Sequence, residues 1–119
     1  MQVQVNSNQS IQTHDSLERW ATTELTTALE RFRDDVTRVE VHLSDENGDK
    51  AGLNHVRCMI EARLAGHQPQ AVNHLAATLD EAFRGACEKI KRSLDHTLDK
   101  QHDHRARKSI RRDTDPEVL

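Results

Sequence analysis

Residues 54–64 constrain the fold of this chain more than any other stretch. Val56, Cys58, Ile60, Ala62 and Leu64 alternate without a break against His55, Arg57, Met59, Glu61 and Arg63. A period of two places the first set on one face of a strand and the second on the other. One face is then apolar and the other polar, the pattern of an antiparallel sheet covered on one side only. The rest of the chain has to supply that cover.

Two further segments repeat the pattern and two supply the cover. In residues 37–43, Val39, Val41 and Leu43 alternate with Arg38, Glu40 and His42, and in residues 1–7 Val3 and Val5 share one side. Ala65 and Gly66 read as a hairpin turn, and residues 67–73 form a poor strand that Pro69 confines to an edge. From about 14 to 33, Leu17, Ala21, Leu25, Ala28 and Phe32 recur at helical spacing, with Trp20 and Leu29 on the flanks. Thr13 or Asp15 can cap this helix, Asp15 and Glu18 having capping-box spacing. From about 74 to 100, Leu75, Leu79, Phe83, Ala86, Ile90, Leu94 and Leu98 form a second stripe, weakened at Gly85. The order β-α-β-β-β-α predicts an α+β fold: a four-stranded sheet, opened by a right-handed parallel crossover, with two helices packed on one face. Past Lys100 no apolar periodicity survives. The expectation is one domain over residues 1–100 and a disordered charged tail over 101–119.

Composition narrows the function classes. Of 119 residues, 34% are apolar and 31% charged, which suffices for one thin core. No apolar run approaches the roughly 20 residues that span a bilayer, and MQVQVNSNQS carries no secretion signal, so a cytoplasmic protein with no membrane partner is expected. Cys58 points inward with the core residues, Cys87 borders the second helical stripe, and neither has zinc-ligand spacing; both read as reduced thiols. The run Asp45-Glu46-Asn47-Gly48-Asp49 superficially resembles a calcium loop, but its sixth and twelfth places hold Lys50 and Val56, so it reads as a hairpin loop. Among eight histidines only His102 and His104, with Asp103 and His96, cluster, and they straddle an expected helix end that gives no rigid ligand frame. No metal, cofactor or small-molecule substrate is expected. There is no glycine-rich phosphate loop, no GxSxG and no tyrosine, and no enzyme is read here.

Charge supplies the candidate site. The formal net charge of −3 excludes a uniformly basic surface, so any basic patch is local. At about 100° per residue, Lys89, Arg92, His96 and Lys100 line one flank of the second helix, with Asp99 at its border. The opposite flank mixes Arg84 and Lys91 with Asp80 and Asp95. The tail adds Arg105, Arg107, Lys108, Arg111 and Arg112, a basic arm able to reach phosphates. Trp20, Phe32 and Phe83 suit core positions, so stacking on bases is not expected. The rival reading is a solvated helix face and a solubilising tail.

The opening MQVQVNSNQSIQTHDSLERW, the stretch AATLDEAFRGACEKIKRSL and the β-α-β-β-β-α order together resemble the short ribosome hibernation promoting factors, also called ribosome-associated inhibitors or sigma-54 modulation proteins. The resemblance covers about residues 1–100. It implies a non-enzymatic stress factor that lodges in the decoding channel of the small ribosomal subunit. There such a factor contacts ribosomal RNA through basic helix residues, excludes tRNA and messenger RNA, and inhibits translation in idle cells. Arg92 matches a basic family position, and Ala86 and Ile90 match apolar ones; Gly85, Glu88 and Leu94 stand where basic residues are usual. The alternative on the same scaffold is a regulatory protein-interaction module without ribosome affinity.

Overall fold

The computed structural model describes residues 1–7, 15–45 and 56–100 in full and residues 101–118 as helical backbone. Seven elements follow in order: β1 (Gln2–Ser7), α1 (Asp15–Ala28), a 3-10 turn (Glu30–Phe32), β2 (Val36–Asp45), β3 (Val56–Leu64), β4 (Gln70–Ala76) and α2 (Leu79–Val118). The strands lie in the order β1-β2-β3-β4. β1 runs parallel to β2, while β2, β3 and β4 form an antiparallel meander. This is the expected α+β arrangement.

Register explains which residues are inside. Val3 pairs with Val39, Val5 with Val41, Val41 with Ile60, and Ile60 with Val72, so one apolar row crosses all four strands. On β3 the five alternating residues Val56, Cys58, Ile60, Ala62 and Leu64 are all buried. β2 starts one residue earlier than expected and its register slips between Val36 and Arg38. The extra residue there, Thr37, lets Val36 and Val39 both face the core although they are three apart. Its hydroxyl donates to the Arg63 carbonyl at 3.2 Å.

Both helices cover this face. α1 buries Ala21 and Leu25 and then tightens into the 3-10 turn; Leu29, which caps that turn, and Phe32 within it both enter the core. The helix expected to reach 33 therefore ends at Ala28, and Leu29 is a core residue rather than a flank. Trp20 tilts against Phe83 of α2 with ring centroids 4.9 Å apart, within the range where aromatic pairs attract beyond their area. α2 contributes Ala82, Phe83, Ala86, Cys87, Ile90 and Leu94. Gly66, at φ +78°, makes the β3–β4 turn in a conformation that side-chain-bearing residues rarely adopt.

The start of α2 differs from the sequence reading. β4 runs on to Ala76, with Val72, His74 and Ala76 toward the core side and Asn73 and Leu75 outward. Leu75, placed above on the helical stripe, is 46% exposed on the uncovered face. It stands four residues before Leu79, so the two periods coincide there. The true start is marked by Thr78, whose Oγ1 accepts from the Glu81 amide at 3.2 Å, an N-cap that satisfies one orphan donor of the first turn.

The far end differs too. The helix, expected to end near Lys100, does not stop there, and its backbone continues to Val118. An absent apolar stripe decides what a helix packs against, not whether its backbone can continue. Residues 101–115 contain neither Gly nor Pro, the residues that break helices. The cap assigned to Thr13 and the loop after Asp45 lie outside the described residues.

Two outcomes test this architecture. Ile60→Asp, which buries a carboxylate at the sheet centre, should cost several kcal/mol and unfold the domain, whereas Glu61→Gln on the wet face should stay within about 0.5 kcal/mol in urea titrations. We further propose that the cooperative unit ends near Lys100, so deletion of 101–119 should leave the melting temperature nearly unchanged.

Candidate nucleic-acid interface

α2 lies across the buried face with one flank along the β4 edge and the other toward α1. Its contacts with β4 fix the roll of the helix, and so decide which charges meet solvent. Gln70 is the centre of the clamp: its Nε2 donates to Thr97 Oγ1 at 2.8 Å, and its side-chain carbonyl accepts from the Ser93 hydroxyl. Thr97 in turn donates to the Ser93 carbonyl at 3.1 Å. About two turns toward the N-terminus from Ser93, the His74 ring lies directly against Gly85. A Cβ built there would stand 2.1 Å from the ring, so Gly85 is a notch that lets helix and edge strand approach.

The candidate cations separate by flank. On the α1 side, Arg84 Nε donates to both carboxylate oxygens of Asp80 at 3.0 Å, and this hydrogen bond, with Asp80's charge, raises the guanidinium pKa further. Lys91 stands 3.8 Å from Glu88, and Asp95 pairs with Arg31 from the 3-10 turn. The open cleft of about 630 Å³ between the end of α1 and α2 is lined by Arg31, Lys91 and Arg92 but equally by Glu30, Glu88 and Asp95. With no net sign, it does not concentrate anions.

On the β4 side the picture changes. Lys89 Nζ donates to the Asn73 carbonyl at 2.9 Å, so this lysine is tied to the edge strand. It blunts an exposed strand edge, a common use of lysine. Arg92, which stands at the crest of the helix and also lines the cleft, is exposed, as are His96 and Lys100, and no hydrogen bond or ion pair holds any of them among the described residues. They stand at successive four-residue steps, each about 6 Å along the axis, a spacing close to that of phosphates along a strand. Arg105, Arg107 and Lys108 fall on the continued backbone of α2, with side chains outside the described residues.

The sequence-derived set thus resolves into three groups: Arg84 and Lys91 in ion pairs, Lys89 engaged by the sheet, and Arg92, His96 and Lys100 as the solvent-facing row. The clamp residues Gln70, Asn73, His74, Ser93 and Thr97 were not singled out from the sequence. Only the paired hydroxyls at 93 and 97, one turn apart on the helix, hinted at them. No group of His, Cys, Asp and Glu able to hold a metal ion exists among the described residues, and no helix there is long and apolar enough to cross a membrane. Burial pushes the Cys58 and Cys87 thiols up to about 12, which keeps both protonated at neutral pH and unreactive as nucleophiles.

A one-sided sheet under two helices, the second carrying a row of basic residues with no partner among the described residues, defines a class of small α+β domains with a charged helical flank. The chain belongs to the sigma-54 modulation protein / S30EA ribosomal protein family, whose model matches residues 3–102. The N-terminal domain of Protein Y from Thermus thermophilus superposes with a TM-score of 0.65 at 19% identity, over 82% of this chain and 99% of that one. A ribosomal subunit interface protein from Coxiella burnetii gives 0.64 at 13% identity, over 82% and 98%. No curated protein sequence matches significantly.

The notch makes a specific prediction. An exposed helical Gly→Ala change normally gains about 1 kcal/mol. Gly85→Ala should instead cost about 1–3 kcal/mol because the His74 ring must move. In the His74→Ala background the same change should become stabilising, as read by urea midpoints. The thiols make another. Because folding raises both thiol pKa values from about 9 to about 12, the thiols' contribution to stability should be level below pH 9 and fall as pH rises from 9 toward 12. Thiol reagents at pH 8 should label the chain only once it is unfolded.

Proposed function

We propose that this protein is a non-enzymatic, cytoplasmic stress factor that binds the small ribosomal subunit. It occupies the decoding channel through ribosomal RNA contacts and inhibits translation in idle cells. Membership of the S30EA family and the fold shared with a ribosomal subunit interface protein support a ribosomal partner. The observation that carries the RNA contact is the row Arg92, His96 and Lys100, held on a rigid helix with no acid engaging it among the described residues. Cations fixed in such a row lose little conformational freedom on meeting a phosphate backbone, and they release condensed counterions when they do.

Lys89 plays a different part. Its tie to the β4 edge positions the helix flank, so its replacement should disturb folding as well as binding. Arg84 and Lys91 reach RNA only by leaving Asp80 and Glu88, which makes them secondary contacts. The arm holding Arg105, Arg107 and Lys108 extends the same sign beyond the domain.

Pelleting with purified small subunits across a salt series tests this reading. The wild type should pellet at low salt and be released steeply as salt rises. Arg92→Glu with Lys100→Glu should fold normally by circular dichroism, bind at least tenfold more weakly, and show a log–log salt slope shallower by roughly 1.5–2. Equal pelleting of both would remove this flank from the interface. If neither pellets at any salt concentration, the regulatory-module reading takes over.

A further inference from the structure

We infer that His96 makes the grip of this flank on RNA phosphate pH-dependent, tightening it as the surroundings acidify. The inference rests on the ribosome-binding reading and specifies its regulation. His96 sits in the middle of the row, one helical turn from Arg92 and one from Lys100, and it is exposed. Arginine and lysine are charged throughout the physiological range, whereas imidazole ordinarily changes charge between pH 5 and 8. With a neutral imidazole the row is two cations about 12 Å apart with a gap between them; with an imidazolium it is three cations at even steps.

Among the described residues the charged surroundings of His96 are few. On α2 they are Arg92, Lys100, Asp99 at the border of the stripe, and Asp95, which Arg31 of the 3-10 turn already holds. From β4 the neighbouring side chain is Gln70, which is neutral and committed to Ser93 and Thr97. The only charged or titratable group on β4 is His74, eleven residues back along α2 at the Gly85 notch. The β3–β4 turn contributes His67, which makes an interaction of its own.

A phosphate backbone laid along the row favours the imidazolium, since each phosphate is an anion within reach of the ring. The imidazole is then more basic in the complex than in the free protein. By linkage, binding takes up a proton. The gain is fully present below the free-state pKa and is lost as pH rises through the higher bound-state value. A rise of one unit on binding corresponds to a tenfold gain in affinity.

The test is the affinity of wild type, His96→Gln and His96→Lys for purified small subunits, measured between pH 5.8 and 8.0 at fixed salt. The chain has eight histidines and the subunit titrates too, so the difference between proteins isolates this site. The wild type should tighten on acidification by several-fold to about tenfold more than His96→Gln. Its salt slope should steepen by about 0.7–0.9 at the acid end. His96→Lys should match the wild type at low pH and keep that affinity at pH 8. Parallel pH profiles for wild type and His96→Gln would overturn the inference while leaving ribosome binding intact. Absence of binding by all three proteins at every pH would remove the ribosomal reading and this inference with it.

Discussion

Burial of one face of β3 is the constraint on which everything else in this structure depends. The strand is central in the sheet, and its five inward residues belong to the one core cluster among the described residues. A face of that size left wet would cost the domain most of its hydrophobic stabilisation. Two helices are the cover that a chain of this length can provide, and only one side of the sheet receives it. The opposite face stays polar, with Arg38, Glu40, Glu61 and Arg63 forming neighbouring cross-strand pairs. The requirement for cover also fixes α2 in place, and the placement of α2 determines where its charges point.

Polar contacts at the β4 edge convert that hydrophobic placement into a defined orientation. Apolar packing alone tolerates some rotation of a helix about its axis. The Gln70–Ser93–Thr97 contacts, the tie from Lys89 to Asn73, and the seat of His74 on Gly85 all act on the same flank and limit it. Arg92, His96 and Lys100 stand next to these anchors, so they are presented by a helix whose roll is fixed. The α1 flank is different in kind: there Asp80, Glu88 and Asp95 each engage a cation. One helix thus has a self-neutralised side and an available side, and the net acidity of the chain conceals this.

Legibility in the sequence followed the physics of each element. β3 could be read because a half-buried strand has no pattern but strict alternation. The junction of β4 and α2 could not be read correctly, since Leu75 satisfies both the strand period and the helix period. Thr78 with Glu81 was the local signal that would have decided it. Gly85 looked like a defect, because the reason for it lies on another strand. The flank of basic residues was visible as spacing, but the division into paired, anchored and available cations depends on partners that spacing alone does not identify. The helical backbone past Lys100 was missed because periodicity reports packing, and a helix can extend where nothing packs against it.

The central claim is that the β4-side flank of α2 faces ribosomal RNA. Because both native cysteines are buried and unreactive, His96→Cys would create a single site for attaching a hydroxyl-radical source. Mapping the RNA cleavage that this derivative directs within the small subunit is the most direct measurement. The account predicts strong cuts confined to small-subunit RNA from position 96 and weaker ones from a Leu75→Cys derivative on the uncovered sheet face. Cleavage at background from position 96, with the protein bound, would contradict it.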